Sequence, residues 1–182
     1  MKEISLNILD IAQNSVKAKA TEIGVFVIED TAAHSLEVKI TDNGCGMDEE
    51  TVKRVSDPFY TSRTTRKVGL GIPFFKMEAE MTGGRFYLES KSGEGTTIGA
   101  VFYTNTFDSI PLGDIVSTIL VLIQGSPDID FRFAHTTDGH EVGVDTAELR
   151  ATLGEDVPLS EPDVIAWIRE YLEEQYRELG TV

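Results

Sequence analysis

Apolar side chains recur every three or four residues between Ser5 and Ala20, at Leu6, Leu9, Ala12, Val16 and Ala20, and then the period changes. The first spacing lays one apolar stripe along a helix. The next two runs, Ile23 to Glu29 and Leu36 to Thr41, are β-rich and flank Asp30-Thr31-Ala32-Ala33-His34-Ser35, which predicts a hairpin. A chain that switches period this early calls for a mixed α and β fold.

Glycine punctuates the chain beyond the hairpin. Asp42-Asn43-Gly44-Cys45-Gly46-Met47 closes the second strand in a loop, and residues 47–68 are polar, with a short helix expected at Asp48 to Val55. Gly69-Leu70-Gly71-Ile72-Pro73 opens a helix to about Met81, with proline in the first turn, where its missing N–H costs nothing. Gly83-Gly84 stops it. Strands are expected at Arg85 to Glu89 and Thr96 to Tyr103, joined through Ser92-Gly93-Glu94-Gly95. Beyond them the spacing predicts a helix (Leu112 to Gln124), a strand pair (Ile129 to His135, Glu141 to Val144) and a short helix (Thr146 to Leu153). A last helix opens at Ser160-Glu161-Pro162, striped by Val164, Ile168, Tyr171, Leu172, Gln175 and Leu179.

Charge divides the same chain differently. Of 182 residues, 16 are basic and 31 acidic, a net charge of −15. Residues 1–104 hold 12 of the basic and 15 of the acidic ones, whereas residues 105–182 hold 4 and 16. The shift predicts two units with a boundary near Thr104 to Pro111. So acidic a chain argues against nucleic acid as a partner, since backbone binding needs clustered Lys and Arg. The lone Cys45 excludes an internal disulfide or a multi-cysteine metal site, and no apolar run approaches the ~20 residues of a membrane helix. No signal-peptide core follows Met1, so a cytoplasmic protein is expected.

Four clusters carry chemistry beside their plainer readings. Asp10, Asn14 and Lys17 share a helix face apart from the apolar stripe, where polar residues are often merely solvated. Asp42 ahead of alternating glycines can accept from an exocyclic amine beside a planar ligand, although D-N-G also makes an ordinary turn. Gly69-Leu70-Gly71 at a helix start leaves backbone N–H groups free for an anion. It is neither a P-loop nor a dinucleotide fingerprint. Gly93-Glu94-Gly95-Thr96-Thr97 alone is a hairpin turn.

In this order and spacing the set resembles the ATP-binding domain shared by gyrase, the heat-shock ninety-kilodalton chaperones, histidine kinases and the mismatch-repair ATPases. The resemblance rests on Asp10 to Ala20, Asp42 to Gly46, Asp57-Pro58-Phe59-Tyr60-Thr61-Ser62, Gly69 to Gly71 and Gly93 to Thr97, and covers residues 1–104. It implies an α+β fold of the Bergerat type, a two-layer α/β sandwich with a mixed sheet covered by helices, here with an acidic α/β extension over 105–182. It implies ATP and Mg²⁺ as cofactors. Asn14 would ligate Mg²⁺, and Asp42 would accept the adenine amine with Thr96 in support. Gly44, Gly46 and Met47 would shape the adenine pocket, and Gly69, Leu70 and Gly71 would offer N–H groups to the phosphates. Lys67 would face the terminal phosphate, with Arg63 and Arg66 as substitutes, and Thr61 and Ser62 would belong to a lid.

The lid, the G-L-G-I stretch and Lys17 look most like histidine kinases and the related anti-sigma serine kinases, whereas Asn14-Ser15 with Ala18 and Ala20 looks like mismatch-repair proteins. Hydrolysing relatives carry a Glu base four residues before the magnesium Asn. This chain has Asp10, one methylene shorter, which leaves open whether it takes a proton or orients water.

The leading expectation is a Mg²⁺-dependent kinase-type catalytic domain in signal transduction, passing phosphate to a separate protein. The alternatives are an ATPase switch of the chaperone or mismatch-repair type and a non-catalytic nucleotide sensor. A basic protein partner is expected on residues 105–182, or a homodimer contact there, with no membrane or nucleic acid. His34, His135 and His140 are read as exposed turn residues and Cys45 as a packing residue. Trp167, Tyr171 and Tyr176 are read as core or interface.

Overall fold

The computed structural model describes residues 3–55, 71–154 and 157–180. Helix α1 (Ile4–Lys17) leads into β1 (Glu22–Asp30) and β2 (Ser35–Asp42), then α2 (Glu49–Val55), α3 (Gly71–Met81), β3 (Arg85–Lys91) and β4 (Gly95–Tyr103). The acidic segment adds α4 (Ile115–Gly125), β5 (Asp130–Thr137), β6 (His140–Asp145), α5 (Thr146–Leu153) and α6 (Pro162–Glu178). The strands form one sheet in the order β3-β4-β2-β1-β5-β6. Neighbours run antiparallel except β1 and β5, which are parallel. This is the α+β sandwich with a mixed sheet that the motifs imply.

Strand alternation selects the buried face. Ile23, Val25 and Val27 of β1, Leu36, Val38 and Ile40 of β2, Ala100 and Phe102 of β4, and Phe131 and Phe133 of β5 are buried and join one core. Ile8 and Ile11 of α1, Phe75 of α3, Ile119 and Ile123 of α4, and Ile168 and Leu172 of α6 complete it from the helical layer. Phe75 centres the sheet's far end, its ring 5.3 Å from Phe102 and edge-on to Phe86 at 6.5 Å. The opposite face carries Glu37, Lys39, Arg85 and Arg132, exposed or half-buried.

The charge boundary near residue 104 does not interrupt this core. β5 pairs with β1 from Glu22↔Asp130 to Glu29↔Thr137, so the acidic segment extends the sheet past its first hairpin. The backbone also ties the two together. The carbonyls of Pro111 and Leu112 accept from the N–H groups of Ile4 and Ser5 at 3.0 and 2.8 Å, satisfying first-turn donors of α1 that have no partner within the helix.

Several expectations need correction. α1 ends at Lys17 rather than Ala20, and Lys19 turns the chain at φ 59°. Its buried arc is Ile4, Asn7, Ile8, Ile11, Ala12 and Ser15, while Leu6 is 42% exposed. The helix touches the sheet, α3 and α4, so its buried arc includes polar residues, and hydrophobicity alone reads the neighbouring arc. His135 is no turn residue but lies buried within β5, and Cys45 is exposed rather than packed. Trp167 and Tyr171 are exposed, which removes the core half of the core-or-interface reading and leaves the interface half open.

Candidate functional site

Asp42 ends β2 opposite Thr96 of β4, and both of its carboxylate oxygens are engaged. Oδ2 accepts from the Ser15 hydroxyl at 2.6 Å, and Oδ1 accepts from the Gly44 N–H at 2.9 Å. A carboxylate has about four acceptor sites, so two further bonds remain open to a ligand. Ser15 lies on the buried side of α1, one residue after Asn14, so the same helix that presents Asn14 orients Asp42.

The two glycine loops press against each other here. Cys45 N–H donates to the Ala18 carbonyl at 2.9 Å and Gly93 N–H to the Cys45 carbonyl at 2.8 Å. Gly46 sits at φ 62°, and a Cβ there would lie 2.0 Å from the Lys91 carbonyl oxygen. Gly95, at φ 98°, would bring one within 2.0 Å of the Asp42 carbonyl oxygen. A Cβ on Gly44 would lie 2.9 Å from Ala18 Cβ. Each glycine is therefore required first by the approach of chain to chain, and the space that its missing side chain vacates is filled by protein.

Asp10, Asn14 and Lys17 do share a face of α1, with Asp10 and Lys17 exposed and Asn14 half-buried. Among the described residues no side-chain hydrogen bond or ion pair occupies any of the three, in contrast to Asp42 and Asn43. Asn43 is spent locally: its Oδ1 accepts from the N–H groups of Thr21 and Glu22 at 2.9 and 3.0 Å. Opposite this face begins α3. Gly71 is its first residue, and a Cβ there would fall 3.0 Å from Asp10 Cβ. The positive end of the α3 dipole thus meets the Asp10–Asn14 side of α1, a setting that favours an anion.

Residues Thr61, Ser62, Lys67, Gly69 and Leu70, like Arg63, Arg66 and the Asp57 to Ser62 stretch, lie outside the described residues. Of the G-L-G box only Gly71 is placed. Met47 is half-buried against the core, its N–H donating to Ser90 Oγ at 2.8 Å. Ser90 also lies 2.9 Å from Thr96 Oγ1 and donates to the Gly95 carbonyl at 2.9 Å, so it ties Met47 to the G-E-G-T turn. Ser15 and Ser90 escape a motif reading. Their signal is a polar residue at a buried parity: Ser15 follows Ile8 and Ile11 on α1, and Ser90 follows Phe86 and Leu88 on β3.

No group of three or more His, Cys, Asp or Glu is arranged to hold an ion among the described residues. Magnesium often takes only one or two protein oxygens and completes its shell with phosphate oxygens and water. A single uncommitted amide oxygen, that of Asn14, beside an anion-favouring helix start fits that mode.

The family model described as "Histidine kinase-, DNA gyrase B-, and HSP90-like ATPase" matches residues 2–105, more than half of the chain. The chain belongs to this family. Relatives include the sensor histidine kinase YvrG of Bacillus subtilis, 36% identical over 95 residues, covering 49% of this chain and 16% of that protein. The sensor protein kinase FleS of Pseudomonas aeruginosa is 36% identical over 89 residues, covering 49% of this chain and 22% of that protein. The shared part is thus less than a quarter of either relative's length. Among solved structures, the Aquifex aeolicus MutL ATPase domain complexed with ADP covers 97% of this chain and 70% of that one, with TM-score 0.53 and 13% identity. That likeness is one of fold, and it reaches well beyond residue 105.

Proposed function

We propose that this chain binds ATP together with Mg²⁺ between α1, the Asp42 loop and the start of α3, and that it acts as a kinase-type catalytic domain on a separate protein. The observation that carries the reading is the contrast within one helix. Ser15 holds Asp42 in place from the buried side, while Asp10, set against Gly71, and Asn14, one turn further along the same face, stand uncommitted. Asp42 accepts the adenine amine, Thr96 supports it from the facing strand, and Gly44, Gly46 and Met47 form the wall. Asn14 holds the metal, and Lys17 and Lys67 add positive charge near the phosphates. Thr61 and Ser62 close over the nucleotide, and Gly69, Leu70 and Gly71 give it backbone N–H groups. Magnesium, when bound, neutralises phosphate charge as a Lewis acid. Asp10, one turn before Asn14, takes the acceptor's proton. The ADP held by the MutL domain of the same fold supports a nucleotide here.

Incubation with γ-labelled ATP, Mg²⁺ and a partner captured from the native host should move label onto the partner, with Asp42→Asn abolishing the transfer. Release of free phosphate alone in the presence of that partner overturns the kinase reading. A second reading draws on the fold likeness over 97% of the chain to a MutL ATPase domain. Under it ATP drives self-association, and sedimentation would show a dimer with ATP that Asp42→Asn loses.

A further inference from the structure

Helix α6 carries Trp167 and Tyr171 with their rings 5.2 Å apart and 8° from parallel, 49% and 40% exposed. Ile168 and Leu172 of the same helix are fully buried, so α6 has its core face already satisfied and the aromatic pair is turned elsewhere. The pair walls a groove of about 580 Å³ bounded by α5, α6 and the β5–β6 hairpin. Glu141 and Glu148 stand on its rim, exposed and without an ion-pair partner among the described residues. Asp145 also lines it but caps α5, accepting from the Ala147 N–H at 2.9 Å. Arg132, facing Asp145 across the strands, is the one cation among these lining residues.

The sheet edge beside the groove is interrupted at Gly143, midway along β6. Gln175 accepts from the Gly143 N–H at 3.0 Å and donates to the Gly143 carbonyl at 3.2 Å, spending the backbone pair an added strand would use. An occupant is therefore read through its side chains. A half-exposed aromatic stack beside two unpaired carboxylates suits an ammonium or guanidinium, which gains from the ring faces and from charge-assisted bonds to the rim. The whole segment agrees in charge, with 16 acidic residues against 4 arginines over 105–182.

We propose that this groove binds a lysine- or arginine-bearing segment of a protein partner, through Trp167, Tyr171, Glu141 and Glu148. It goes beyond the nucleotide reading and does not depend on what becomes of the γ-phosphate.

Trp167 is the single tryptophan of the chain, so its fluorescence reports the groove directly. The full chain, without nucleotide, is titrated with an amidated hexa-arginine peptide and, separately, with hexa-glutamate and a Gly-Ser hexamer. A saturable fluorescence change is expected with hexa-arginine alone. Glu141→Gln/Glu148→Gln should weaken it about tenfold, and Tyr171→Leu about fivefold by removing one ring of the stack. Glu49→Gln/Asp108→Asn removes the same charge at exposed positions elsewhere and should leave the affinity unchanged. No saturable change overturns the proposal. So does equal weakening in the control pair, which marks diffuse charge attraction. Asp42→Asn serves as the separating variant: it should lose ATP and keep hexa-arginine, so failure of either site is read independently of the other.

Discussion

At the scale of single residues, the Asp42 cluster shows how one hydroxyl can fix the orientation of a carboxylate. The Ser15 hydroxyl donates 2.6 Å to a carboxylate, and a bond to a charged group contributes about 1.5–3 kcal/mol. Ser15→Ala should lower unfolding free energy by that order in urea titrations. It should also reduce nucleotide affinity about tenfold by calorimetry, because Asp42 keeps only the Gly44 N–H. Asn14→Ala makes the opposite pairing of effects. The side chain is half-buried and supports no other group, so stability should move by less than about 0.5 kcal/mol. The Mg²⁺-dependent part of ATP affinity should vanish. Unchanged ATP affinity with Mg²⁺ in that variant overturns the metal assignment. Asp42, Asn14 and the glycines were legible because each sits in a motif with fixed spacing. Ser15 was not, since a serine after Asn14 has no pattern of its own until α1 is packed and its buried side is known. The glycines were legible for a partly different reason from the one that operates, since a Cβ on Gly46 would meet Lys91 before it met any ligand.

At the scale of elements, helix and strand periods located the secondary structure along the chain, and the ends differ by a few residues. Faces were harder. On α6 the expected stripe holds at Ile168 and Leu172 and fails at Tyr171, because the helix seals the sheet's edge and one flank stays outside. His135 shows a similar limit. A histidine near a turn reads as exposed, yet β5 lies next to central β1, and α6 covers its inward side. His135 Nδ1 lies 2.8 Å from the Tyr176 hydroxyl, and Nε2 lies 3.6 Å from Glu29. With the ring proton on Nε2, Tyr176 donates to Nδ1, and Nε2–H donates to Thr137 Oγ1 at 3.4 Å with the Glu29 carboxylate just beyond. Burial holds the imidazole below its ordinary pKa of 6.5, and Glu29 offsets this in part. As pH falls below about 6.5 the unfolded chain takes up the proton first. The fold therefore loses stability from there downward through the folded value, and above that window His135 contributes no pH dependence. The slope is at most about 1.4 kcal/mol per pH unit for one proton. Urea midpoints between pH 7.5 and 5 should fall less steeply in His135→Gln; an unchanged slope would show that other groups set it.

At the scale of the whole molecule, family and charge both draw a line near residue 105, and the core ignores it. Ile119, Ile123, Phe131, Phe133, Ile168 and Leu172 all lie beyond that line and are buried to 2% exposure or less. Each such side chain contributes about 1.5–3 kcal/mol, so the six together contribute roughly 9–18 kcal/mol, comparable with the whole 5–15 kcal/mol that keeps a domain folded. A fragment of residues 1–105 should therefore show no cooperative thermal transition by circular dichroism and should aggregate through the bared edge of β1. A monomeric fragment with a sharp transition would show that the first segment folds alone. The charge asymmetry was readable from composition because charge is a surface property. The shared sheet was not, because nothing in the local patterns of β1 or β5 specifies a partner so distant along the chain. That distance also bears on how the protein comes to exist. Val25 pairs with Phe133, more than a hundred residues later, so β1 emerges from the ribosome long before its neighbour. Non-local parallel pairing slows folding and leaves strand edges open meanwhile. The nascent chain passes through an interval in which its motif-bearing half is complete in sequence and still lacks one side of its central strand.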